Sequence, residues 1–180
     1  MQRAIKYLAY ALLTAVIFTS CGDNVSLQRY YVDNQESKNF ISQDLPLSLI
    51  ELDKSNFTEA QKEAYNSVNK LNFLGYKVNE TDTETYLAEL AKVKTILSDS
   101  KYNGLMEFSD KGNKISVKYI GTDEEADEVI VFGSAKDMGF GIVRILGDDM
   151  NPDKMVTLIS AFQNANIEEG QIENIINYFK

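Results

Sequence analysis

DEVIVFGSAKDMGFGIVRILG, residues 127–147, decides how the rest of the chain is read. Val129–Phe132 is four apolar residues in a row, rich in β-branched side chains. Such a run is too short for a core helix and lacks the alternation of a half-wet strand, so it reads as a strand at the centre of a sheet. GFGIVRILG (139–147) reads the same way, with Lys136–Asp137–Met138–Gly139 as the turn between the two. Two adjacent buried strands joined this tightly predict an antiparallel pair.

Upstream, GLMEFSD and NKISVKYIG are separated by Lys111–Gly112, a two-residue hairpin signal. Ile115, Val117 and Tyr119 alternate with polar residues, which predicts a strand with one wet face. NFISQDLP (39–46) reads as a first strand ended by Pro46, and KLNFLGYKV (70–78) as another. LSLIEL, between Pro46 and the next helix, is short enough for one helical turn.

Helices fill the gaps between strands. Thr58 and Gln61 form a capping box that opens a helix to about Asn69. Thr81 and Glu84 predict a second, with Tyr86, Leu90, Val93 and Leu97 on one face. Asn151 followed by Pro152 predicts an N-cap and first turn, with Met155, Leu158, Ile159 and Phe162 inward. Asn166 and Glu169 repeat the capping pattern before Ile172, Ile175, Ile176 and Phe179. The order predicts an α+β fold: a largely antiparallel sheet of about five to six strands, with helices packed on one face.

The N-terminus is an address. MQRAIK is a short basic region, Tyr7–Phe18 an uncharged apolar run, and Thr19–Ser20 a pair of small residues before Cys21. This is a secretory signal layout, and the run falls short of the roughly 20 apolar residues a spanning helix needs. A cysteine at that place reads as a lipoprotein signal, cleaved between Ser20 and Cys21, with lipid on Cys21. Phe18 stands where such signals carry an aliphatic residue. The expected organisation is a signal peptide over 1–20, a lipidated tether over 21–38 and a single domain over 39–180. The expected location is the outer membrane, its periplasmic or outer face left open.

Composition excludes several activities. The chain has 180 residues, no histidine and one cysteine. It therefore lacks the usual proton shuttle near neutral pH and any internal disulfide. The charge is −9; without residues 1–20, which hold Arg3 and Lys6 and no acids, it is −11. A chain this acidic without a basic run is repelled by phosphate backbones, so nucleic acid is not an expected partner.

Few residues suggest chemistry. TDEEADE (122–128) reads as a solvated loop rather than a calcium site, having no spaced ligand pattern. Asp149, Asn151 and Asp153 echo half a calcium loop, but Lys154 and Ser160 stand where glycine and glutamate belong. Gly139-Phe140-Gly141 lacks the dinucleotide continuation, so its glycines read as close strand contacts. Arg144, inside IVRIL, either recognises an anion or, the favoured reading, pairs with a carboxylate on a neighbouring strand or lies on the sheet's wet face. Leu27, Tyr30 and Tyr31 have the spacing of one helical turn docking on the domain; Tyr30 and Tyr31 are candidate contact residues, with local packing the favoured reading. No metal or cofactor site is expected.

SLQRYYVDN, NFISQDLP, KLNFLGYKV, DEVIVFGS and GFGIVRILGDDMNP together resemble a family of Bacteroidota lipoproteins known as domain of unknown function 4252. The resemblance covers nearly the whole mature chain and implies a small, secreted, lipid-anchored protein. It brings no catalytic residues. The expected function is that of a non-catalytic cell-envelope module, held to the membrane through Cys21 and binding an envelope protein partner through a face of the sheet or the Tyr30–Tyr31 segment. The alternative is a carrier or sensor of a small ligand.

Overall fold

The computed structural model describes residues 25–46, 54–78, 82–110, 112–163, 175 and 177–179. In chain order the elements are α1 (Leu27–Asn34), β1 (Phe40–Pro46), α2 (Glu59–Ser67), β2 (Val68–Lys77), α3 (Thr83–Leu97), β3 (Asn103–Asp110), β4 (Asn113–Gly121), β5 (Ala126–Ala135), β6 (Gly139–Met150) and α4 (Pro152–Gln163). The six strands form one sheet in the order β1-β2-β6-β5-β4-β3. Every pairing is antiparallel. The α+β expectation holds, and the quoted stretch supplies the two central strands.

The helices lie on both faces, not on one. Val129, Val131, Val143 and Ile145 point into a core shared with Ala64 and Tyr65 of α2 and Met155, Leu158 and Ile159 of α4. Ile130, Phe132, Phe140 and Ile142 point the other way, against α1 and α3. Successive side chains of a strand alternate between faces, so a strand apolar at every position needs cover on both. Each fully buried aliphatic side chain in these layers contributes about 1.5–3 kcal/mol. The α1 and α3 side is called the first face below, and the α2 and α4 side the second.

Local signals set the element ends. Thr58 caps α2 through the expected box: its Oγ1 accepts from the Gln61 amide, and its own amide donates to Gln61 Oε1 at 2.8 Å. α2 stops at Ser67, two residues earlier than the spacing suggested, because Val68 turns extended into β2. Gly147 lies against that turn, where a Cβ would stand 1.9 Å from the Ser67 carbonyl oxygen. Asn151 Oδ1 accepts from the Lys154 amide at 3.1 Å and caps α4. α3 begins one residue later than expected, with Asp82 as N-cap and no side-chain capping bond. The Asp82 carboxylate instead accepts from the Tyr76 hydroxyl at 3.4 Å. Asp110 pairs with Asn113 around the predicted two-residue hairpin, where Gly112 takes φ 91°.

The folded unit begins earlier than residue 39. Within the stretch expected to be tether, α1 is capped by Ser26 and buries Leu27, Tyr30 and Tyr31. The Leu27 amide donates to the Tyr102 hydroxyl at 3.1 Å, which fastens the start of α1 to the segment before β3. Apolar side chains three and four apart outweighed the polar composition around them. The signal segment, the Ser20–Cys21 junction, LSLIEL, Thr81 and most of the last expected helix lie outside the described residues. Among the described residues no helix is long and apolar enough to cross a membrane.

Candidate binding surfaces

Register brings a polar row together on the first face. Asp44 of β1 stands opposite Asn72 of β2, and Asn72 opposite Arg144 of β6. Arg144 and Glu128 of β5 are both buried and bind side-on: Nε donates to Oε1 at 2.6 Å and Nη2 to Oε2 at 2.9 Å. Burial alone would lower the arginine pKa, but the Glu128 hydrogen bonds and charge outweigh it and hold it above its ordinary value. Asp44 Oδ1 accepts from Asn72 Nδ2 and from the Tyr31 hydroxyl, the latter at 2.9 Å. Tyr30 donates to Glu89 Oε2 of α3 at 2.7 Å. Burial, then the Asp44 hydrogen bond and charge, push the Tyr31 phenol up to about 12. Burial and the Glu89 hydrogen bond hold Tyr30 well above the ordinary tyrosine range.

Three candidate residues therefore converge, but inside the fold. Tyr30, Tyr31 and Arg144 retain 4%, 7% and 7% of their exposure. Their polar atoms are consumed within the domain, and among the described residues no buried side-chain nitrogen or oxygen lacks a partner. Tyr31 thus turns its polar end inward, Tyr30 does the same while also bordering a groove along α3, and Arg144 has a carboxylate on the neighbouring strand. Glu128 was read as part of a solvated loop. Residues 122–125 and 127 are indeed exposed, but Glu128 already belongs to β5 and faces inward.

The open surfaces lie around β3 and β4, at the edge of the sheet. On the second face a row runs straight across the strands: Ile41, Gly75, Gly141, Gly133, Ile115, Phe108. The Phe73 ring covers Gly141 and, with Phe179, Gly75, whereas among the described residues nothing lies within 4 Å over Gly133. Phe179 packs edge-on to Phe73, with ring centroids 6.5 Å apart. The result is a groove of about 290 Å³, lined by Phe73, Ile115, Gly133, Met138, Ile175 and Phe179 among others. Phe108, Ile115 and Met138 around it are 48%, 37% and 52% exposed, unusual for such large apolar side chains.

On the first face of the same strands the character is opposite. Lys114, Ser116 and Lys118 of β4, with Lys94 and Ser98 at the end of α3, line a groove of about 300 Å³ over Phe132. Glu107 is the acidic residue of that lining. The sequence suggested a face of the sheet as a contact, but not which face or which residues.

The acidic stretches bind within the protein. Asp148 accepts from Asn69 Nδ2, and Asn151 caps α4 while its Nδ2 donates to the Glu124 carbonyl. Among the described residues no three His, Cys, Asp or Glu side chains stand close enough to hold a metal ion.

A family model described as domain of unknown function (DUF4252) matches residues 30–158, from within α1 into α4. No curated protein and no solved structure matches the chain.

Proposed function

The chain belongs to the DUF4252 family, and we propose that it is a non-catalytic protein of the cell envelope, lipid-anchored through Cys21, whose folded domain binds another protein. The observation that carries the anchor is the layout MQRAIK, Tyr7–Phe18, Thr19–Ser20, Cys21, with α1 beginning six residues later at Leu27. Several acyl chains on one cysteine hold a domain stably, at about 0.8 kcal/mol per buried methylene, without a spanning segment. The outer membrane of a Bacteroidota cell is the proposed location.

Phe108, Ile115 and Met138, beside the open Gly133, are the proposed partner contact. Exposed apolar side chains around a shallow groove at a sheet edge favour a protein partner. The absence of histidine from the sequence supports a binding role over catalysis. The test is crosslinking in cells followed by mass spectrometry, with Cys21→Ser as control. One envelope protein recovered with the wild type, and lost in Phe108→Asp, is the expected result. Equal recovery with Phe108→Asp overturns the assigned contact.

The lysine-lined groove on the first face favours a second reading, a carrier or sensor of a small anion. Binding of citrate that shifts the amide signals of Ser116 and Lys118, and disappears in Lys118→Glu, is what that reading requires.

A further inference from the structure

α3 carries apolar residues around most of its circumference. Tyr86, Val93, Ile96 and Leu97 face the core. Leu87, Ala88, Ala91 and Thr95 lie on the side turned away from it and are exposed, Leu87 at 55%. An outward helix face in a chain of this acidity is expected to be charged, and here Glu84, Lys92 and Lys94 are its exposed charges, with small or apolar residues between them. Ala88, Ala91 and Thr95 form one wall of a groove of about 410 Å³ that also takes in Val25, Lys92, Asp99 and Lys101. Val25 is itself 48% exposed. Lys92 is tied to Glu89 on its own helix, and Lys101 lies over the Tyr102 ring with its ammonium 5.0 Å from the centroid. Small and apolar residues between long cationic stems make a face suited to the boundary between headgroups and acyl chains, where lysines reach back to the phosphates.

Chain length selects the occupant. Val25 stands four residues after Cys21, so the link between them spans at most about 14 Å when extended. A lipid on Cys21 therefore keeps Val25, at the end of this groove, within about 14 Å of the bilayer. We propose that the outward face of α3, with Val25 beside it, rests on the membrane surface and fixes the orientation of the domain. This rests on the anchor reading above. The lipid supplies the attachment, and the helix face determines which side of the domain meets the bilayer. Phe108 and Ile115, on the opposite face of the sheet from α3, are then turned away from the membrane and free to meet a partner.

The sequence contains no tryptophan, so a single one reports its own surroundings. Full-length protein is purified from membranes, its mass is measured for acylation, and it is reconstituted in vesicles of phosphatidylethanolamine with a minority of phosphatidylglycerol. Leu87→Trp and Phe108→Trp are compared in vesicles with and without brominated phospholipid. The expected result is that Leu87→Trp loses roughly half its emission or more, as for a ring about 5–10 Å into the interface, while Phe108→Trp is unchanged. Acylated protein with equal quenching at both positions, or none at Leu87→Trp, overturns the orientation and leaves the anchor standing. A mass without lipid overturns the anchor and the orientation with it.

Discussion

Arg144 and Glu128 form a two-pronged ion pair diagonally across the two central strands, at 2.6 and 2.9 Å, in the layer beneath α1. Arg144 stands opposite Ile130, and Glu128 lies two residues from Ile130 along β5. The pair is thus a same-face diagonal neighbour contact of an antiparallel ladder. It places two charges between apolar layers, and each is acceptable there because the other is present.

Glu128→Ala is therefore expected to cost about 3–5 kcal/mol, since it strands a buried guanidinium. Replacing both residues, Glu128→Leu with Arg144→Met, is expected to be close to neutral. Urea denaturation of the wild type, both single variants and the double variant measures the coupling. Additive single losses would mean that the pair is screened by water and not an interior contact.

The tyrosines of α1 predict an alkaline limit. Burial first, and then carboxylate partners, raise the phenol pKa of Tyr30 and of Tyr31, the latter to about 12. Unfolded tyrosines titrate near 10. The stability these neutral phenols contribute is fully present below about pH 10 and is lost as the pH rises toward 12, because the unfolded chain releases its protons first. Thermal unfolding followed by circular dichroism should show a falling Tm between those values, with a smaller fall in Tyr31→Phe. An unchanged Tm up to pH 12 would contradict the buried placement.

Two glycines in the sheet are expected to respond in opposite ways. Gly139 has φ 125°, and a Cβ there would stand 1.9 Å from the Tyr76 carbonyl oxygen. Backbone strain alone makes Gly139→Ala cost about 1–3 kcal/mol, and the clash adds to it. Gly133 has open space above it, so Gly133→Ala should stay within about 0.5 kcal/mol of the wild type. Denaturant midpoints of the two variants decide the matter.

Thr58→Ala removes one half of a complete capping box and should cost about 1 kcal/mol. Thr58→Ser should restore most of the loss. A neutral Thr58→Ala would show that packing of Tyr65 and Ala64 against α4, rather than the cap, holds α2 in place.

Much of this architecture follows from neighbours in sequence. The Thr58 box, the Asn151–Pro152 start, the Lys111–Gly112 hairpin and the unbroken run Val129–Phe132 act over a few residues, and each lies where its pattern indicated. The proposed address is of the same kind: a basic start, an apolar run and Cys21 are read along the chain, without a fold. Other features depend on which strand lies beside which. Arg144 called for a carboxylate, but only the register of β5 on β6 makes it Glu128, a residue that composition had grouped with a solvent loop. The spacing of Leu27, Tyr30 and Tyr31 favoured local packing, but not what they pack against. Glu89 and Asp44, 59 and 13 residues away, draw the two tyrosines into the core. Gly75, Gly141 and Gly133 are scattered along the chain and become one row only when three strands align. Helix and turn signals are short-range and survive in the sequence, whereas faces, partners and grooves are set by long-range pairing, which no local pattern encodes.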